Sequence, residues 1–157
     1  MNPEETRVLI ERIHQDLKEL RIVLTRINDG WERARRSNDD YYLDSVALNL
    51  HGFYSGFERI FALIAEFVDR EIPQGEKWHL LLLERMQAEK TGVRPAVISS
   101  ASWKTLNELR GFRHVVRNVY THNFDPAKVG LLVVAASPLF EQLNAELSAF
   151  TDFLEQA

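Results

Sequence analysis

Residues 46–68 read VALNLHGFYSGFERIFALIAEFV, and the spacing within this stretch decides the fold. Val46, Leu50, Phe53, Phe57, Ile60, Ile64 and Phe67 step by threes and fours, the repeat of one face of an α-helix. A second stripe, Tyr54, Phe61 and Val68, runs beside the first. One apolar stripe serves a core on one side; two predict a helix covered on two sides. The second stripe then faces either a short third helix of the same chain or the surface of a partner.

The same stepping extends in both directions. Ile10, Ile13, Leu17, Leu20, Leu24 and Ile27 predict a first helix ending near Asn28-Asp29-Gly30, followed by a polar bridge from Trp31 to Asp40. On the other side, Pro73 and Gly75 close the long helix, and Trp78, Leu82 and Met86 mark a shorter one over about Glu76 to Ala88. Lys90 to Ser102, with Gly92, Pro95 and three serines, reads as a loop that supplies a helix cap. Leu109, Phe112, Val116 and Val119 then predict a helix to about His122. Asp125-Pro126 has the form of a helix start, and Gly130 and Ser137-Pro138 are expected to break or kink the helix that begins there. Phe140, Leu143, Leu147, Phe150 and Leu154 finish the chain as an amphipathic helix. There is no alternation of the β type, no internal repeat and no low-complexity segment. The expected fold is an all-α, up-and-down helical bundle of four to five helices in a single domain over residues 1–157.

Composition narrows the function. The chain has 157 residues, 45% hydrophobic and 27% charged, which is ordinary for a soluble globular protein. It has no cysteine, so thiolate metal sites and thiol nucleophiles are excluded, and a reducing cytoplasm is the expected location. No apolar run approaches the roughly 18 residues of a membrane span, so no membrane partner is expected, and the opening MNPEETRVLIER does not read as a secretory leader. A net charge of −4 argues against a protein that coats nucleic acid without specificity, while leaving room for a local basic site. Ser99, Ser100 and Ser102 lie in the capping loop, with no Gly-x-Ser-x-Gly elbow around them. Phosphate-cradling glycine loops of the dinucleotide and Walker types are absent.

Glu11-x-x-His14 and Glu76-x-x-His79 match the Glu-x-x-His pattern of di-iron bundles. At about 100° per residue, however, each glutamate lies roughly 140–150° from the apolar stripe of its helix and points to solvent. No metal and no cofactor are expected.

The segment from Glu108 to Asp125 (ELRGFRHVVRNVYTHNFD) differs from the rest of this acidic chain. Between its bounding acids it holds three arginines and two histidines without a carboxylate. Arg110, Arg113, His114 and Arg117 are spaced by three and four and share one helix face, opposite Val116 and Val119. Such a run is either a solvated face or a site for an anionic substrate. Arg117-Asn-Val-Tyr-Thr-His122 has the form Arg, four residues, His; Arg7 to His14 gives a looser match in the first helix.

In this context the segment resembles the HEPN superfamily and, more narrowly, its HepT-like ribonuclease toxins. The resemblance rests on Arg117 and His122 at the end of the penultimate helix. It is supported by Gly52-Phe-Tyr-Ser-Gly-Phe-Glu-Arg-Ile-Phe61, Gly75-Glu-Lys-Trp-His79 and Phe112-Arg-His-Val-Val-Arg117, and spans roughly residues 45 to 155. It implies a metal-independent endoribonuclease, homodimeric and paired with a nucleotidyltransferase-type antitoxin. Arg117 and His122 would be the catalytic pair, with Asn118 assisting and Arg110, Arg113 and His114 binding RNA. The family places a tyrosine two residues after the histidine, where the antitoxin attaches AMP. Here that position is Phe124, which directs attention to Tyr120 and Thr121 as displaced acceptors or antitoxin contacts. Tyr120 would project near the apolar side of its helix, with Phe124 a hydrophobic anchor for the turn. The competing reading is a catalytically inactive bundle, a regulatory module that binds a protein, RNA or nucleotide.

The chemistry suits these residues. RNA carries its own nucleophile in the 2′-hydroxyl, histidine exchanges protons near neutral pH, and arginine offers a fixed fork of donors to phosphate. Five residues apart on a regular helix, Arg117 and His122 differ by about 140° and about 7.5 Å. They converge only if the helix ends before His122 or if a second subunit completes the site.

Overall fold

The computed structural model describes all residues 1–157 and contains no strand, only helices: α1 (Pro3–Ser37), α2 (Tyr41–Phe67), α3 (Trp78–Gln87), α4 (Ser100–Asn118) and α5 (Pro126–Gln156), with a 3-10 turn at Thr121–Asn123. The chain is an all-α bundle. Helix α2 is central and touches the other four. Its first stripe meets α5 through rings: Phe53 and Phe57, 5.1 Å apart edge to face, lie 6.4 and 6.3 Å from Phe140 of α5.

Both apolar stripes of α2 are covered within one chain. Tyr54 and Phe61 are fully buried, beneath α3 and α4, which pack on that side. The expectation that this stripe could dock a partner is therefore overturned; it belongs to the core.

Two predicted helix ends are also corrected. Helix α1 does not stop at Asn28-Asp29-Gly30 but continues to Ser37, ending on Asn38 in the left-handed region at φ 53°. Gly30 is buried, and a Cβ there would sit 3.0 Å from Val46 Cγ2, so this glycine permits close approach to α2 and is not a stop signal. Helix α5 runs unbroken through Gly130 and Pro138. At Gly130 a Cβ would come within 2.8 Å of the Trp31 ring, again a contact position. Pro138 lies at the surface and Val134, one turn earlier, is exposed, so the carbonyl that loses its partner faces water.

The loop before α4 is tied down by charge. The Arg94 guanidinium, 1% exposed, makes two bonds to the Asp69 carboxylate at 2.7 and 2.8 Å and donates to the carbonyls of Arg85, Ala88 and Pro95. Ser99 caps α4 by accepting from the Ser102 amide, as its place in the loop predicted. Glu146 of α5 accepts from the Ser99 amide at 2.8 Å and the Ser102 hydroxyl at 2.7 Å, which fixes where α4 begins. No helix is long and apolar enough to cross a membrane.

Candidate functional site

Helix α4 buries Leu106, Leu109 and Phe112 and turns its basic residues outward. Arg110 and Arg113 are half-buried, whereas Arg117 and Asn118 are exposed and His114 stands at the surface beside them. None of the three arginines is paired with a carboxylate: the ion pairs of the chain lie elsewhere. Arg110 donates only to the side-chain oxygen of Asn107 at 3.0 Å. Arg113 Nε is cut off from solvent and has no partner. A strip of unneutralised arginine therefore leads toward the end of the helix.

That end comes earlier than the apolar spacing predicted. The helix stops at Asn118 rather than near His122, and Val119 and Tyr120 are extended before the 3-10 turn at Thr121–Asn123. The 140° separation of a regular helix thus does not apply to Arg117 and His122, and both present free, exposed side chains. Asn118 turns its amide back to the His114 carbonyl at 2.8 Å and lies 3.2 Å from His114 Nδ1, so it caps the helix end. Thr121 is exposed on the turn itself.

Phe124 is the anchor predicted for this turn. It is 7% exposed, and its ring lies 6.2 Å from that of Phe112. Tyr120 departs from expectation. It is 77% exposed and its ring lies parallel to the His122 imidazole, 5.8 Å away at 14°. The extended backbone of Val119 and Tyr120 lifts the ring off the apolar side it would have occupied in a continued helix.

Beneath the arginines lies a polar line on α2 that sequence reasoning missed. His51, Tyr54 and Glu58 follow one another at helical steps, Tyr54 being itself a member of the second apolar stripe. The Tyr54 hydroxyl donates to Glu58 Oε2 at 2.8 Å, and His79 Nδ1 of α3 lies 2.6 Å from the same oxygen. Burial, reinforced by the Glu58 charge, pushes the Tyr54 phenol well above its usual range, so it stays protonated and donates. Burial also lowers the pKa of His51, helped by Arg113 and Arg117 and opposed by Glu58. Its Nε2 is screened from solvent and without a partner. The available signal was the spacing of His51, Tyr54 and Glu58 on a face otherwise apolar.

The second Arg-to-His match behaves differently. Arg7 is clamped between Glu4 at 2.7 Å and Glu11 at 2.9 Å, so its charge is already answered. It and His14 line a groove of about 560 Å³ near the chain ends, on α1. Glu11 is exposed on α1, as its angular position predicted; Glu76 is exposed as well, but in the turn before α3, which begins only at Trp78. No group of three or more histidine or acidic side chains is placed to hold a metal ion.

A family model described as HepT-like protein matches residues 45–154. No curated protein and no solved structure matches the chain. The match covers α2 through nearly the whole of α5, including the basic end of α4 and its turn, and leaves out α1. On that basis the chain belongs to the HepT-like family, related to the HEPN superfamily.

Proposed function

We propose that this protein is a metal-independent endoribonuclease, the toxin of a toxin–antitoxin pair. The observation that carries the reading is the end of α4. There an exposed, unpaired Arg117 and an exposed His122 flank a helix terminus, with the unneutralised strip of Arg110 and Arg113 leading to it.

In this reading the RNA phosphate sits on Arg117, with Arg110, Arg113 and His114 holding the adjoining backbone. His122 takes the proton of the 2′-hydroxyl, whose oxygen attacks the neighbouring phosphorus. The bond from phosphorus to the 5′-oxygen breaks, leaving a 2′,3′-cyclic phosphate and a 5′-hydroxyl. The departing oxygen takes its proton from water or from a second imidazole. Arg117 offsets the charge that builds on the phosphate oxygens. Asn118 assists by holding the last turn of α4 in shape. DNA, without the 2′-hydroxyl, is not cut by this route.

The protein acts as one domain over residues 1–157, as a homodimer whose two-fold axis brings two such helix ends into one groove. A nucleotidyltransferase-type antitoxin in the cytoplasm silences it, by covering the groove or modifying the exposed Tyr120 or Thr121. Phe124, buried and without a hydroxyl, is not the acceptor.

The test is cleavage of RNA by the purified protein in EDTA, with analysis of the product ends. Arg117→Ala and His122→Ala should each lower activity about 100- to 1,000-fold, with stability kept within about 1 kcal/mol because both positions are exposed. Arg7→Ala and His14→Ala should leave activity unchanged. A requirement for added metal, or activity that survives both substitutions at the α4 end, would overturn the assignment.

A further inference from the structure

Tyr120 is an aromatic ring that the bundle does not use. It is 77% exposed, its backbone is extended at φ −62° and ψ 140°, and the ring of this turn that packs on Phe112 is Phe124. Its one aromatic neighbour is His122, parallel at 14° with 5.8 Å between centroids. The opposite ring face is open, and it stands where the arginine strip of α4 ends. An open aromatic face beside a phosphate-binding strip is the arrangement by which proteins hold unpaired nucleotides: cations track the backbone and a ring stacks the base.

We infer that Tyr120 is a nucleobase-stacking residue that makes the site selective for single-stranded RNA. The base beside the phosphate held by Arg117 lies on the open face of Tyr120. That stacking holds the strand in single-stranded form beside the end of α4, where Arg117 and His122 are exposed. A base within a duplex is already stacked and paired, so it does not reach the ring. The hydroxyl of Tyr120 forms no bond in the structure and plays no part in this role; the ring does. The inference rests on the ribonuclease reading for its catalytic consequence, but not for the binding itself.

The experiment separates the two. The probe is a short 2′-O-methyl oligoribonucleotide carrying one 2-aminopurine, which cannot be cleaved through its blocked 2′-oxygens. Wild type and Tyr120→Phe should bind it equally, quench its fluorescence, and favour it over the same sequence in a duplex. Tyr120→Ala should bind about ten- to a hundred-fold more weakly, the range expected for the loss of one stacked base, with the quenching gone and the oligomeric state by light scattering unchanged. On cleavable RNA the same substitution should raise KM more than it lowers kcat. Undiminished binding by Tyr120→Ala, equal binding of duplex, an equal loss in Tyr120→Phe, or a changed oligomeric state would overturn the inference. Wild-type protein that binds and quenches the probe but never cleaves RNA would overturn the ribonuclease reading and leave the stacking role standing.

Discussion

Phe124 offers a way to disturb His122 without touching any group that does chemistry. Its ring is 7% exposed and rests on Phe112 at 6.2 Å. A phenylalanine buries about 150–250 Å², and at about 25 cal/mol per Å² that is an upper bound of about 4–6 kcal/mol for the covered ring. Phe→Ala substitutions in cores cost about 3–5 kcal/mol. Phe112, itself 8% exposed, lies at the edge of the core, where neighbours relax, so the lower end applies. The turn is otherwise held by two backbone bonds, from the Asn123 amide to the Tyr120 carbonyl at 2.9 Å and from the Phe124 amide to the Thr121 carbonyl at 3.1 Å. Net contributions of about 1 kcal/mol each are smaller than the loss of the ring. Phe124→Ala should therefore release the turn while most of the bundle stays folded. Hydrogen exchange at Asn123 and Phe124 should become fast, and RNA cleavage should fall at least about ten-fold, since misplacement of a catalytic group by about 1 Å is enough to do so. Phe124→Leu, which refills most of the volume, should recover most of the activity. Wild-type cleavage together with slow exchange in Phe124→Ala would refute the reasoning.

His51 should make stability depend on pH. Its pKa is lowered in the fold, chiefly by burial and then by Arg113 and Arg117, so the unfolded chain binds the proton first and protonation favours unfolding. This contribution is fully present above the ordinary histidine value of about 6.5 and is lost as pH falls below it. Urea unfolding at about pH 7.5 and pH 5.5 should show a smaller loss of stability in His51→Gln than in wild type; identical losses would show that burial and the arginines do not act on this imidazole. Two glycines of α2, four positions apart, should respond in opposite senses to alanine. At Gly56 a Cβ would run into Leu20 Cδ2, within a buried contact, whereas at Gly52 it would meet nothing. Gly56→Ala should cost about 1–2 kcal/mol through overpacking, and Gly52→Ala should gain about 0.5–1 kcal/mol from helix propensity. Urea titration of both variants checks the signs.

The bundle was legible because its core positions recur at helical steps and burial follows them closely. Ile10 to Ile27 and Val46 to Ile64 are buried along the faces the spacing marks. What misled was glycine and proline read as punctuation. Gly30 and Gly130 are there because another side chain comes close, Val46 at the first and Trp31 at the second, and local sequence does not distinguish a contact glycine from a terminal one. The break between α4 and α5 was legible; its exact place was not. Asn123 to Pro126 lacks apolar periodicity and Asp125 caps α5 by accepting from the Ala127 amide at 3.0 Å, but α4 already stops at Asn118, because Val119 and Tyr120 turn extended although their residue types would continue the helical stripe. The line of His51, Tyr54 and Glu58 was not legible in the same way. Its partners are His79, 21 residues beyond Glu58, and the arginines of α4, which reach it only through packing.

The two Arg-to-His matches show what the surroundings add to a pattern. Both place an arginine upstream of a histidine on a helical chain, and as strings they differ only in the length of the gap. Arg7 has carboxylates one turn to either side, Glu4 and Glu11, each within 2.9 Å. A phosphate arriving there would have to displace them, which removes most of the attraction a free guanidinium offers. Arg117 lies in a segment without acids from Arg110 to Phe124, so along its own helix no carboxylate competes for it. Glu58 of α2 is held by Tyr54 and His79, and no carboxylate of the chain lies within ion-pair distance of Arg117, so a phosphate would meet its guanidinium without first displacing an acid.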